Sequence, residues 1–348
     1  VAGNWYTTRE IVKRALGIAG SDRDWLIDSH IEAASREIDA LTNRRFIPIT
    51  ATRNYEWPQR EGRNVYTLHL DEDLLSVSAL TKEGDDVTAI AAADYFLEPT
   101  GIGPPYQWIE IDLGGTAFFA AKDTHQRQIR VTGSWGYGND TKAAGALAEA
   151  DDGSETALDV SDSSLIDVGG TLLIGTEQMF VSAKALLDTA TNTVGTLSAS
   201  ATDTAVTVGD GTKVKQGEII TVNSERMYVS AVAGNVLTVT RAHDGTVLAT
   251  HANDQDVYAP RTLTVTRAAN GTTAASHTDT TAITRYAPPA DISGLCRALA
   301  VAYYMAEKGG WTGVVGGPEA EVETRMSALN RMRDAVKRRY QRRLIGAA

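Results

Sequence analysis

The chain is short of cysteine, of long apolar runs and, over its middle, of tryptophan, and each shortage narrows what it can be. One cysteine in 348 residues, Cys296, excludes an intrachain disulfide framework and cannot by itself build a cysteine-based zinc site. No stretch approaches the roughly 18 consecutive apolar residues that would span a bilayer as a helix. The opening VAGNWYTTRE lacks the basic-then-apolar order of a signal peptide, so the sequence is expected to stay inside the cell that makes it. Catalytic signatures are missing as well: there is no G-x-x-x-x-G-K-[ST], no H-E-x-x-H and no G-x-S-x-G. The expectation is a protein that is not an enzyme, with no catalytic residue, no metal and no cofactor.

What is present is unevenly spread. The net charge of −11 divides into 17 acidic and 8 basic residues over 143–286, a net of −9, and 6 acidic and 10 basic over 287–348, a net of +4. None of the six tryptophans falls in 143–286, which is rich in Thr, Ala, Val, Asp and Gly. A step this sharp predicts a separate domain set into a host formed by 1–142 and 287–348.

The host begins with two helical patterns. Thr7 and Glu10 have capping-box spacing ahead of Ile11, Val12, Ala15 and Leu16, and Ser21 and Asp24 introduce a stripe of Ile27, Ile31, Ala34, Ile38 and Leu41 that ends near Asn43. TRNYEW, NVYTLHL, LLSVSALTKEG, YFLEP, WIEIDL and IRVTGSW then read as strands of a small antiparallel sheet. Pro288, Pro289 and Asp291 open a buried helix, and after the connector GGWTGVVGGP a last helix carries Val322, Met326, Leu329, Val336 and Tyr340 on one side. The predicted class is α+β: a mainly helical host with a small antiparallel sheet, plus an inserted all-β domain.

The insert repeats itself twice over. LTVTRAHDGTVLATH (237–251) and LTVTRAANGTTAASH (263–277) share ten of fifteen residues, and 157–184 aligns without gaps to 205–232. The second copy reads as a continuous meander, EIITV, ERMYVSAV and NVLTVTR. The first copy stops after FVSAK and lacks the LTVTR ending until 263. The economical reading is nesting, with module two (198–260) seated in a turn of module one (155–197 plus 261–286). That reading predicts that LTVTR at 263 pairs with the TLLIGTEQMFVSAK hairpin.

Candidate residues are few. His243, His251, His277 and Asp244 invite a metal or acid–base reading, but Asp-Gly and Asn-Gly at 244 and 270 are turn formers, and one repeated histidine does not make a metal site. Arg241 and Arg267 read as sheet-edge charges or local ion-pair partners, and Cys296 as a core thiol. The tail is more suggestive. Arg325, Arg331, Arg333, Lys337, Arg338, Arg339, Arg342 and Arg343 face one acid, Asp334, a surface suited to nucleic acid or an acidic protein unless it is merely solvated.

Taken together, DWLIDSHIEAASREIDALTNRRFIP, LHLDEDLLSVSALTKEGDDVT, ADYFLEP, IRVTGSWGYG and APPADISGLCRALAVAYYMAEKGG resemble the head-to-tail connector (adaptor) proteins of tailed bacteriophages. The resemblance covers roughly 5–141 and 286–345. It implies a structural virion protein, assembled in the bacterial cytoplasm, that forms a ring of about twelve copies under the portal and continues the DNA channel toward the tail. Partners would be further copies of the chain, the portal, tail or neck (stopper or terminator) proteins, and genomic DNA passing without sequence specificity; no membrane is implied. Arg331, Arg333, Lys337, Arg338, Arg339, Arg342 and Arg343 would face the portal or the DNA. The insert departs from the short family pattern; it is expected to project outward, where capsid, tail or neck proteins could meet it. The alternative is a tail or neck β-module protein that binds a receptor or glycan.

Overall fold

The computed structural model describes residues 3–57, 65–84, 88–122, 124–308 and 319–342, with side chains from 327 onward in the last segment. Helix α1 spans Arg9–Leu16 and α2 spans Asp24–Thr42. Neither begins with the cap its sequence offers. Thr8, not Thr7, is the N-cap of α1, and it makes no side-chain cap bond. Thr8 Oγ1 donates instead to Asp167 at 3.1 Å, while the Glu10 carboxylate accepts from the Val168 N–H at 3.0 Å. Glu10, which local spacing assigns to a cap with Thr7, is used together with Thr8 to fasten α1 to the insert. α2 ends as its sequence indicates, with Asn43 in the left-handed conformation (φ 52°), and it buries Ile27, Ile31, Ala34 and Ile38.

Strands β1 (Ile49–Tyr55), β2 (Thr67–Lys82), β3 (Thr88–Ala89), β4 (Tyr95–Glu98), β5 (Tyr106–Ile111) and β6 (Ile129–Trp135) form the first sheet. It has six antiparallel strands in the order β1-β6-β2-β5-β4, with β3 on β2. NVYTLHL and LLSVSALTKEG, which read as two strands, belong to one: Asp71 to Asp73 interrupt the ladder only as a register shift between His69 and Leu74. Leu68, Leu74, Ile109, Val131 and Trp135 fill the face of this sheet.

The second sheet holds β7 (Thr141–Ala146), β8 (Ala157–Asp159), β9 (Thr171–Ile174), β10 (Glu177–Asn192), β11 (Ala205–Thr207), β12 (Ile219–Val222), β13 (Glu225–Ala233), β14 (Val236–Thr240), β15 (Asp256–Thr266) and β16 (Ala282–Tyr286). Its ten strands run β11-β14-β13-β12-β15-β10-β9-β16-β7, with β8 on β15. β15 lies antiparallel to β10, Val265 opposite Val181 and Leu263 opposite Lys184. The chain leaves this pair at Thr193 and returns at Asp254, where Thr193 donates to the Gln255 carbonyl at 2.8 Å and Asp254 to that of Thr193 at 2.9 Å. Residues between form a meander with its own core of Val206, Ile220, Met227, Val229 and Leu237. The host-proximal strands enclose another core of Leu172, Ile174, Met179, Val181 and Leu263.

Helices α3 (Ala290–Lys308) and α4 (Glu319–Tyr340) return the chain to α2. Ile31, Ile38, Leu295, Leu299, Val336 and Tyr340 share one core, completed by edge-on rings of Tyr6, Phe46, Tyr137 and Tyr340 at 5.2 to 5.5 Å. The side chains of Val322 and Met326 lie outside the described residues.

The expected mainly helical host with a small sheet is not what forms. The protein is mostly β, 37% strand against 23% helix, in two large antiparallel sheets with four helices among the described residues. Helix length is what misleads: α2 and α3 have 19 residues each and dominate the periodicity, whereas the strand phrases, each recognised singly, give no measure of the share of the chain they make up together.

The closeness of Thr193 and Asp254 sets a test. Replacing 194–253 by an Asn-Gly turn should leave the near-ultraviolet dichroism of the tryptophans, all of which lie outside 143–286, intact, because module one keeps its own core and Arg261, which loses Glu218 with the deleted segment, then meets solvent. Loss of that signal would show that module one cannot fold around a closed turn.

Candidate functional site

Two buried charge clusters occupy equivalent places in the repeats. Glu225 begins β13, fully buried, and accepts from Arg241 Nε (2.7 Å) and Nη2 (2.8 Å) and from the backbone N–H of Ala242 (2.9 Å) and Ala249 (3.1 Å). His251 Nε2 lies 2.8 Å away. Glu177, at the start of β10, has the same five contacts from Arg267 (3.1 and 2.7 Å), Ala268 (2.9 Å), Ala275 (3.0 Å) and His277 (3.1 Å). Asp151 adds a second carboxylate to Arg267. Burial pushes each glutamate up, but the arginine, histidine and backbone donors outweigh it and hold both carboxyls at about 2.

These glutamates are saturated acceptors and cannot serve as bases. Their work is to clamp the loop after each LTVTR strand onto the start of the preceding one. The turn reading of the histidines therefore misses their partner, and the ion-pair reading of Arg241 and Arg267 misses how deeply they sit. The signal was present in the repeats: Glu, Arg and His are all retained in both copies while neighbouring surface positions diverge. Among the described residues no group of three His, Cys, Asp or Glu is arranged to hold a metal ion. Cys296 is buried beside Ser35, and burial raises its thiol to about 11, which suits a core residue rather than a nucleophile.

A third pair joins the modules. Glu218 accepts from Arg261 at 2.8 and 2.7 Å and from the Ser163 N–H and hydroxyl at 3.0 and 2.9 Å. Nothing in the sequence marked it, because Glu218 and Arg261 lie 43 residues apart and Arg261 belongs to no repeated phrase.

The basic residues of α4 do not act as one surface. Arg342, expected to face portal or DNA, is 5% exposed: it donates to Asp73 at 3.0 Å and to the Leu70 carbonyl at 2.7 Å, with Arg44 on the other carboxylate oxygen. Arg342 lies two residues beyond the end of α4, where its backbone N–H donates to the Thr42 carbonyl at 2.8 Å, so its side chain reaches β2 rather than the helix face that periodicity extrapolates. Arg333 pairs with Glu37 of α2 at 2.7 Å, and Arg339 with Asp291 of α3 at 3.1 Å while remaining largely exposed. Arg331, Lys337 and Arg338 are exposed and make no ion pair with a described residue. Arg343 lies outside the described residues.

The depressed glutamates fix a direction with pH. Their contribution is complete above the ordinary carboxylate value of 4.5 and disappears as pH falls toward about 2. Glu225→Gln, which leaves Arg241 buried without its counter-charge, should cost about 3 kcal/mol at pH 7 in denaturant melts and flatten part of the acid limb. A variant within 1 kcal/mol of the parent would show that the cluster does not hold the loop. No family model matches the chain, and comparison with curated proteins and with solved structures gives no match either.

Proposed function

We propose that the protein is a structural subunit of the head-to-tail connector of a tailed bacteriophage, closing into a ring of about twelve copies under the portal. The observation that carries this reading is the outer edge of the first sheet. β4 ends the strand order with no neighbour on its far side among the described residues, and the β4–β5 hairpin and the loop after it expose Phe96 (47%), Ile102 (85%) and Leu113 (65%). An open strand edge flanked by large apolar side chains favours a neighbour that covers it, and in a ring each copy would cover the next.

The phrases that carry the family resemblance also converge in one body. α2 and α3 share a core, and IRVTGSW and LHLDEDLLSVSALTK are adjacent strands β6 and β2. Arg331, Lys337 and Arg338 remain available to an acidic portal surface or to the backbone of DNA passing without sequence specificity. The insert would stand away from the ring, toward capsid, tail or neck (stopper or terminator) proteins. Localisation would be the virion, after assembly in the host cytoplasm. No helix among the described residues is long and apolar enough to cross a membrane.

Native mass spectrometry should find a closed oligomer, alone or with portal, and Phe96→Arg should shift it to monomer without lowering the melting temperature. A parent chain that stays monomeric with portal present, and instead retains glycan, would overturn the reading. For portal contact, deleting 325–348 is uninformative because it strips Leu329, Val336 and Tyr340 from the helical core. Combined Arg331→Glu, Lys337→Glu and Arg338→Glu should weaken portal co-sedimentation at least tenfold in a folded protein; unchanged co-sedimentation would remove these residues from the interface.

A further inference from the structure

Each sheet ends in an open edge, and the two edges are opposite in charge. The last strand of the first sheet is β4, with no neighbour on its far side among the described residues. The last strand of the second is β7. Its end is held, since the Ala146 carbonyl accepts from the Ser161 N–H at 2.9 Å and Leu147 bridges to Val160. The stretch from Thr141 to Ala144, equal to β4 in length, has β16 on one side and no strand on the other among the described residues.

The β4 edge is acidic. Between Thr88 and Ala121 the chain has Asp94, Glu98, Glu110 and Asp112 and no Lys, Arg or His. Glu98 closes β4 opposite Trp108 of β5, and Phe96 stands opposite Glu110. The Glu98 carboxylate accepts from the N–H and the hydroxyl of Thr100 at 2.7 and 2.6 Å, which directs it and leaves lone pairs for a further donor.

The β7 edge is basic. Lys142 lies directly opposite Arg285 of β16, where like charges repel, and neither forms an ion pair with a described residue, Asp140 at the start of the strand included. Lys142 alone would serve as the charge that keeps an edge strand in water. Arg285 does not fit that role. It stands one strand further in, half-buried, with an Nε shielded from solvent that meets no hydrogen-bond acceptor. Two opposed cations with no acid of their own call for one from outside.

We propose that β4 of one copy adds to β7 of the next, joining the first sheet of one subunit to the second sheet of its neighbour with Glu98 against Lys142. The pairing rests on the ring reading and supplies the second, different face that a heterologous contact requires. Trp108, Glu98, Lys142 and Arg285 then form one row across neighbouring strands, and the neighbour provides the carboxylate that the two cations lack. β7 and β16 meet the host where Tyr137 and Tyr286 pack on the helical core, so the contact lies in the body of the ring and leaves the far module outside it. A closed ring leaves neither edge open in any copy.

The test uses the full chain carrying Glu98→Cys and Lys142→Cys, because opposed positions on paired strands bring Cβ atoms to about 5 Å, close enough for a disulfide to form with small adjustment. Oxidation should give a ladder of covalent oligomers on a non-reducing gel, ending at the size of the native ring. Either cysteine alone should give no ladder, since Cys296 is buried. Glu98→Lys and Lys142→Glu should each abolish the ring in native mass spectrometry with little change in melting temperature, and the two combined in one chain should restore it. A parent ring whose double-cysteine form stays uncross-linked, or a ring that persists in both single charge variants, overturns the pairing and leaves the connector reading standing. A parent that stays monomeric with portal present overturns that reading and the pairing with it.

Discussion

Pairing between β10 and β15 runs from Phe180 opposite Thr266 to Asn192 opposite Asp256, and both modules of the insert hang on it. It has to form across an excursion of 60 residues, from Thr193 to Asp254. Were that excursion a flexible loop, closing it rather than a two-residue turn would cost on the order of 3 kcal/mol. It is not flexible. Module two has its own core and brings its two ends within hydrogen-bonding distance, so it behaves as an elaborate but rigid turn. β12 then extends the same sheet by pairing Thr221 with Tyr258, which makes the two modules one continuous surface.

Buried charges sit at the places where this architecture could slip. Glu177 and Glu225 fix the loop after each repeated strand, Glu218 and Arg261 fix one module against the other, and Asp73 with Arg44 and Arg342 fixes the end of α4 to the first sheet. Ion pairs of this kind add little net stability over apolar packing, yet any other arrangement strands a charge in a dry interior. They act on register and orientation more than on the depth of the folded state. Glu10 is the exception. Burial, with Asp167 nearby, raises it to about 7, so the joint between α1 and the insert carries a carboxyl that ionises at a cost near neutral pH.

Much of the architecture was legible where local rules suffice. The C-terminal end of α2, the start of α3, the meander of module two and the strand-like phrases of the host follow from periodicity, turn residues and β-branched content. The overall balance of helix and strand was not, because phrases recognised one at a time as strands of a small sheet do not announce how much of the host that sheet will take. The cap misled because the helix begins one residue later, at Thr8, and because a tertiary partner, the Val168 N–H, takes the Glu10 carboxylate. The basic tail was read from composition alone; composition does not say that Arg342 points at Asp73, 269 residues away in sequence. The repeated Glu, Arg and His were visible but uninterpretable until pairing placed them together.

The helical core gathers residues from Tyr6 to Ile47 and from Ile292 to Tyr340, with the whole insert written between them. During synthesis, then, the insert can fold on the ribosome while the first two helices wait for their partners. Arg342 reaches Asp73 only afterwards. A chain interrupted between β16 and α4 would present well-formed β modules on an unfinished base, and the order of translation thereby separates the capacity to contact other proteins from the capacity to be built in.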